Sequence, residues 1–100
     1  MKFKNPYFTP KEQISTLQRW ILLHSFLYYS IDKPIVSDQT FDNNCKQLVD
    51  LMWDHNEETR YSKIFKDFDG STGFDLFDKC DYTLKVLIRE NAEQLLKGRK

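Results

Sequence analysis

Five side chains in the first half of the sequence combine aromatic rings with carboxylates over residues 28–42. They are Tyr28, Tyr29, Asp38, Phe41 and Asp42. Aromatic faces attract a flat cation through the ring quadrupole, by roughly 0.5–2 kcal/mol depending on desolvation. Carboxylates supply the opposite charge and accept hydrogen bonds from hydroxyl or amide groups of a ligand. The five residues are therefore candidates for one binding site.

These candidates lie on both sides of a predicted corner between two helices. Pro34 cannot continue a helix and disfavours the αR conformation at Lys33, so a first helix has to end near Ile31. Ser37-Asp38 then supplies polar capping residues for a second helix. Two helices that meet at such a corner form a notch, and all five candidates can face it. Asp38 and Asp42 lie four residues apart, so they share one face of the second helix.

Capping signals and apolar periodicity define the two helices beside the corner. Thr9-Pro10-Lys11-Glu12 is a helix start with a capping box and a proline at the first helical position, and this helix runs to about Ser30. The second helix runs from about Asp38 to Asp54, because its apolar residues recur on one face. These two elements must hold the notch.

The rest of the chain also has helical periodicity, without an alternating strand pattern. We expect a short third helix within 56–69, a turn at 69–73, and a last helix that begins between Phe74 and Asp81 and ends near Lys97. Residues 1–8 are expected to form an irregular arm. The predicted fold is all-α, a small irregular bundle of three to four helices, with residues 1–100 as a single domain.

Composition narrows the classes of function. Hydrophobic residues make up 40% and charged residues 30% of the 100 residues, which is typical of a globular protein. Fifteen basic and fifteen acidic residues give a net charge of zero, which argues against direct nucleic-acid binding. No signal peptide is apparent, and no apolar run approaches the ~20 residues that cross a bilayer, so no membrane association is expected.

The positions of the cysteines and histidines in the sequence indicate no metal site. Cys45 and Cys80 form no C-x-x-C pair, and His24 and His55 stand apart from other ligand types. Buried, reduced thiols in a cytoplasmic protein are the simplest interpretation of the two cysteines.

The corner resembles the first helical subdomain, called Ia, of the bacterial NAD⁺-dependent DNA ligases. That family carries a pattern of the type YY-x-x-D-x-P-x-x-x-D-x-x-Y/F-D. The sequence matches it without gaps at Tyr28-Tyr29, Asp32, Pro34, Asp38 and Phe41-Asp42. The resemblance covers about residues 18–52.

The resemblance implies a nicotinamide nucleotide, NAD or NMN, as the ligand. In the family, this subdomain binds the nicotinamide mononucleotide half of NAD⁺, and another domain takes the AMP half. Oxidised nicotinamide is a flat cation, and aromatic faces and carboxylates both attract such a group. The matching binding positions are Tyr28, Tyr29, Asp38, Phe41 and Asp42. Phe41 replaces the family's usual tyrosine, which removes a hydroxyl and keeps the ring.

The same resemblance argues against ligase activity in this chain alone. The family forms its enzyme–AMP bond on a lysine in a K-x-D-G motif. Here the nearest match is Lys66-Asp67-Phe68-Asp69-Gly70, with one residue too many, and 100 residues leave no room for a nucleotidyltransferase core. We therefore expect no catalytic residue, and a non-catalytic binding module that suits a phage-encoded accessory factor.

Three alternatives remain open from the sequence. In a purely structural interpretation, Phe26, Tyr28 and Phe41 are core aromatics and Asp38 is a helix N-cap. In the second, the chain is a protein–protein interaction module that docks on a DNA ligase, a nucleotidyltransferase or another DNA-metabolism protein; an exposed apolar patch of several hundred Å² would favour it. In the third, Asp38 or Asp42 assists hydrolysis of NAD⁺.

Overall fold

The computed structural model describes residues 9–70 and 75–98. Within them the fold is all-α, as predicted, and no strand is present. The arm expected at 1–8 and most of the turn expected at 69–73 lie outside the described residues. In chain order the elements are α1 (Pro10–Ser25), a π-helix (Phe26–Ser30), α2 (Asp38–His55), a 3₁₀ turn (Phe77–Lys79) and α3 (Tyr82–Gly98).

Helix α1 begins with the predicted capping box. The Glu12 N–H donates to Thr9 Oγ1 at 3.2 Å, and the Thr9 N–H donates to Glu12 Oε1 at 3.1 Å. These bonds lower the pKa of the Glu12 carboxyl, the backbone bond from Thr9 most of all. Pro10 occupies the first helical position. A backbone N–H at this position has no acceptor within the helix, so the lack of one in proline costs no hydrogen bond.

The end of α1 departs from regular α-helix. The five residues that follow α1 form the π-helix, in which the Ile31 N–H donates to the Phe26 carbonyl at 3.2 Å. The Lys33 N–H then donates to the Leu27 carbonyl at 2.7 Å, and Asp32 takes a positive φ of 53°. The predicted corner is confirmed, but the π-helix was not expected from the sequence.

Helix α2 begins after a side-chain cap. Ser37 is the N-cap, and its Oγ accepts a hydrogen bond from the Thr40 N–H at 3.1 Å. Asp38 is therefore the first helical residue, and the alternative in which Asp38 is the cap is wrong. Helix α2 packs along α1, and together they bury the largest part of the core. The core residues on these two helices include Ile14, Leu17, Ile21, Phe41, Cys45 and Leu48.

The short third helix expected within 56–69 is wrong. Residues 60–67 form consecutive turns, although Tyr61, Ile64 and Phe65 are buried as the predicted apolar face required. Thr59 caps this segment: its N–H donates to Ser62 Oγ at 2.8 Å, and its Oγ1 accepts from the Tyr61 N–H at 3.1 Å. The backbone N–H groups of Ser62 and Ile64 then donate to carbonyls three residues back rather than four, so the chain forms turns in place of an α-helix.

Helix α3 begins at Tyr82, one residue beyond the predicted interval. Asp81 defines this start, because its carboxylate accepts a hydrogen bond from the Leu84 N–H at 2.8 Å. Ile88 and Ala92 are buried against the core, as expected. Leu87 and Leu95, by contrast, remain 41% and 38% exposed, although the sequence places them on the same apolar stripe.

Both cysteines are free and buried, in agreement with the expected reduced thiols. Burial raises the pKa of the Cys45 thiol to about 12, with a smaller contribution from the Asp42 charge. Burial likewise raises the pKa of Cys80 to about 11. Neither thiol has the character of a nucleophile or a metal ligand.

Candidate functional site

The corner is built around a row of three aromatic rings from two helices. Phe41 projects from α2, and its ring centroid lies 6.1 Å from that of Trp20 and 6.4 Å from that of Tyr28. The planes differ by 28° and 15°, so all three rings are roughly parallel. Phe41 is only 7% exposed, because it lies in the middle of this row.

The accessible end of the aromatic row is formed by the tyrosine pair. Tyr28 and Tyr29 keep 36% and 42% of their surface exposed. Their ring centroids are 4.8 Å apart with 64° between the planes, an edge-to-face contact. The π-helix carries both residues, so its geometry sets the direction in which the two rings point.

Asp38 completes the contact across the corner. The Tyr28 hydroxyl donates a hydrogen bond to the Asp38 carboxylate, which joins the middle of the π-helix to the first residue of α2. The negative charge of Asp38 and this bond raise the pKa of Tyr28, with smaller contributions from Tyr29 and Asp32. Tyr28 therefore stays protonated and acts as a donor at neutral pH.

Asp42 stands one helical turn beyond Asp38. It is exposed on α2, and its charge contributes to the raised pKa of Cys45. The structure thus brings four of the five predicted residues into one contact cluster, Tyr28, Tyr29, Asp38 and Phe41. The fifth, Asp42, lies on the same side of α2 without a direct part in that cluster.

The structural interpretation of the aromatics applies to some of these residues. Phe26 is a core residue: its ring packs 4.7 Å from that of Phe77, and it is buried. Phe41 is also buried, as that interpretation expected, whereas Tyr28 remains open to solvent. The corner therefore has a packed interior and an accessible aromatic and acidic edge.

Sequence reasoning missed two residues at the inner end of the row, Trp20 within it and His24 next to Trp20. The His24 ring lies 4.1 Å from Trp20, which in turn faces Phe41. His24 is buried, its Nδ1 has no hydrogen-bond partner among the residues that the structure describes, and desolvation lowers its pKa to about 4. The signal that was available is a spacing of four residues from Trp20 to His24 and from His24 to Tyr28, which places all three near one face of a helix.

The described residues contain neither a cluster of metal-binding side chains nor a membrane span. No three or more His, Cys, Asp or Glu side chains within 9–70 and 75–98 are grouped so as to hold a metal ion. Over the same part of the chain, every helix is too short or too polar to cross a bilayer.

Two helices joined at a proline corner, with an aromatic and acidic edge, form the first part of a small helical domain. The chain belongs to a family described as DNA ligase-like, N-terminal NAD⁺-binding domain, whose model matches residues 8–62. The match begins just before α1 and ends within the turns that follow α2, so it contains the whole corner.

Curated DNA ligases are similar to the chain over most of its length. The DNA ligase of Halothermothrix orenii is 30% identical over 86 residues, which are 82% of this chain and 12% of that protein. The DNA ligase of Thermosipho africanus is 26% identical over 87 residues, with the same two shares. A Thermoanaerobacter DNA ligase is 38% identical over 42 residues. The chain thus spans about 12% of the length of the first two relatives, and no solved structure matches it significantly.

Proposed function

We propose that the corner binds the nicotinamide mononucleotide half of NAD⁺ and catalyses no reaction on it. The observation that carries this proposal is the placement of Tyr28. Its ring lies parallel to Phe41, its hydroxyl is held by Asp38, and more than a third of its surface is open to solvent. An aromatic face that is already fixed loses little side-chain entropy when a ligand stacks on it.

The charge of the corner suits an oxidised nicotinamide. Asp38 and Asp42 are exposed on α2, and Asp32 lies close enough to raise the pKa of Tyr28. These carboxylates attract the pyridinium charge and can accept hydrogen bonds from ribose hydroxyls or the carboxamide. The family to which the chain belongs is described as NAD⁺-binding, which supports the same class of ligand.

The buried position of Phe41 changes its proposed role. A ring that is 7% exposed offers little surface to a ligand, so Phe41 acts by supporting Tyr28 from behind. The family's tyrosine hydroxyl at this position is replaced by a hydrogen, which suits the packed environment between Trp20 and Tyr28. We therefore assign direct ligand contact to Tyr28, Tyr29, Asp38 and Asp42.

A binding role without catalysis follows from what surrounds the corner. Lys66 is an exposed residue in the turns after α2, and the sequence from Lys66 to Gly70 lacks the K-x-D-G spacing. These 100 residues span about 12% of the length of two DNA ligase relatives, so we assign no nucleotidyl-transfer chemistry to them. An accessory factor encoded by a phage, acting in the cytoplasm beside a ligase, fits these facts and the two free thiols.

The proposal is tested by calorimetric titration with NMN, NAD⁺ and AMP in parallel. NMN and NAD⁺ are expected to bind with similar, modest affinity, because half of the dinucleotide gains no partners on this chain. AMP is expected to bind hardly at all. Absence of heat with NMN at millimolar concentration would remove the proposed site.

The absence of catalysis needs a separate measurement. After incubation with NAD⁺, intact mass spectrometry should show the unmodified protein, and chromatography of the nucleotide should show no free nicotinamide. An AMP adduct that disappears in Lys66→Ala would instead make the Lys66 motif functional. Release of nicotinamide that depends on Asp38 or Asp42 would indicate hydrolysis.

A further inference from the structure

A second concave surface lies between α1 and α3, and its floor includes residues of the core. It is a groove of about 660 Å³ between α1, residues 60–61 and α3. Its apolar lining includes the exposed Leu87 and the half-buried Trp20, Leu23 and Leu84. We call this surface the α1–α3 groove. An apolar groove of this size that is open along two helices is a common binding surface for a partner helix.

The ionisable groups that line the groove are basic. Among the described residues that line the groove, the charged ones are Arg19 on α1 and Arg60 in the turns after α2, and none is a carboxylate. The Arg60 guanidinium lies 5.4 Å from the Tyr61 ring centroid. Within residues 9–70 and 75–98, neither arginine forms an ion pair; the pair present there joins Lys79 and Asp75. The positive charges of these two arginines beside an apolar surface are complementary to a partner that carries acidic residues next to its apolar ones.

The groove joins the family-matched part of the chain to a part beyond it. The family model ends at residue 62, so the wall from α1 lies inside the match and the wall from α3 lies outside it. The groove also lies beside the nucleotide corner without sharing its proposed contact residues. Trp20 is common to both regions, since it lines the groove and stacks on Phe41.

We propose that the α1–α3 groove docks an amphipathic helix of another protein. This helix carries apolar side chains at i, i+3 or i+4 and i+7, with Asp or Glu beside them. Its apolar side chains cover Leu87 and Trp20, and its carboxylates pair with Arg19 and Arg60. A helix fits because both long walls of the groove are helices, between which a third helix packs ridge into groove.

Two other occupants match the charge less well. A second copy of this chain in a two-fold interface brings the arginines of one groove close to those of the other. The chain's own residues 1–8 carry Lys2 and Lys4 and no acidic residue, so they add positive charge to a basic rim. An acidic helix from a different protein satisfies both the apolar floor and the two arginines.

A displayed library of helical peptides, about sixteen residues long with randomised surface positions, tests the proposal. Peptides are selected on the wild-type chain and counter-selected on Leu87→Glu, which places a charge in the groove at an exposed position. The expected survivors are net acidic with apolar residues at helical spacing. In a Trp53→Phe background, Trp20 is the sole tryptophan, so its fluorescence should change when such a peptide binds.

Matched variants define the result. Arg19→Glu with Arg60→Glu should weaken the selected acidic peptide at least tenfold. Leu95→Glu, which alters a leucine of similar exposure on the same helix outside the groove, should leave binding unchanged. Leu87→Glu should keep its thermal midpoint and its NMN affinity, so failure of docking and failure of nucleotide binding are separable.

Four outcomes would overturn the proposal. These are the absence of Leu87-dependent peptides, survivors that are net basic, and a protein dimer at micromolar concentration that Leu87→Glu abolishes. The fourth is peptide binding that appears only after deletion of residues 1–8, which would assign the groove to that segment. The absence of such peptides or the survival of basic ones would show that no acidic helix binds the groove. The dimer or the effect of deleting residues 1–8 would show that another segment of this protein occupies it.

Discussion

The ring of Tyr28 lies parallel to the ring of Phe41, with 6.4 Å between their centroids and 15° between their planes. One ring comes from the end of the first long helix and the other from the start of α2. The contact therefore spans the proline corner and holds the exposed tyrosine in one orientation. The proposed nucleotide site depends on this support, because a stacking surface has to be fixed before the ligand arrives.

Two substitutions at Tyr28 separate the ring from the hydroxyl. Tyr28→Ala removes the accessible face and should weaken NMN binding about tenfold, since one aromatic–cation contact contributes about 1 kcal/mol or more. Tyr28→Phe keeps the ring and loses only the bond to Asp38, so a smaller loss is expected. Calorimetry measures both, with Tyr82→Ala on exposed α3 as the control. Equal losses for both substitutions would contradict stacking on this ring.

Charge pairing at the corner is testable by comparing two forms of one ligand. Asp38→Asn and Asp42→Asn keep the side-chain shape and remove a negative charge. If the carboxylates attract the pyridinium, each variant should weaken oxidised NMN more than its reduced form, whose ring is uncharged. Asp50→Asn, elsewhere on α2, serves as the control. An equal loss for both redox forms would leave hydrogen bonding as the sole role of these aspartates.

The buried His24 predicts a loss of stability on mild acidification. Its pKa is lowered from 6.5 to about 4, so the unfolded chain takes up a proton near pH 6.5 while the folded chain does not. Unfolding is therefore favoured as the pH falls through this window, and stability is retained above it. The free energy of unfolding should drop by about 1–2 kcal/mol between pH 7 and pH 5.

Urea denaturation of two variants checks the origin of this pH dependence. His24→Gln removes the buried imidazole and should flatten the profile between pH 7 and pH 5, whatever its effect on absolute stability. His55→Gln removes an exposed imidazole and should leave the profile as it is in the wild type. A profile that stays steep without His24 would place the titrating group elsewhere.

Gly70 predicts a second stability effect, because its backbone has a φ of +86°. An added Cβ would also meet Val49 Cγ2 at 3.1 Å. Gly70→Ala should lower the free energy of unfolding by about 1–2 kcal/mol, through strain in the left-handed region and this close approach. Gly98→Ala meets nothing within 4 Å and should change stability little. Thermal melts of both variants provide the comparison; similar midpoints would contradict the strain argument.

The two thiols should be unreactive in the folded protein. Cys45 and Cys80 are buried, and their raised pKa values leave almost no thiolate at neutral pH. An aromatic disulfide reagent, followed by absorbance, should therefore detect no thiol in native buffer and two in denaturant. A fast reaction in native buffer, lost in Cys80→Ser, would show that the region around the 3₁₀ turn opens readily.

Local signals in the sequence predicted the helices beside the corner. Thr9 and Glu12 form their capping box within four residues, and Pro34 restricts its own backbone and that of Lys33. Each of these effects acts between near neighbours, so no knowledge of the tertiary fold is needed. The placement of the first two helices followed from such effects.

The parts that could not be predicted depend on distant contacts. The Thr59 hydroxyl donates to Gln18 Oε1 at 2.6 Å, a bond across 41 residues that helps to fix turns where periodicity favoured a helix. The stacking of Trp20 on Phe41 likewise joins two helices. For the site, the sequence identified the residue types, but only the packed structure shows that Phe41 lies behind Tyr28 and that Asp42 lies outside the contact cluster.

The π-helix at Phe26–Ser30 makes the corner sensitive to chain length as well as to side-chain identity. Each residue in an α-helix turns the chain by about 100°, so a one-residue deletion here would re-aim the tyrosines relative to α2 while leaving their identities intact. Such a deletion would relieve the irregular hydrogen bonding, yet separate the Tyr28 hydroxyl from Asp38. A one-residue deletion at this corner would therefore change the phase of the helix, whereas a substitution would leave that phase intact.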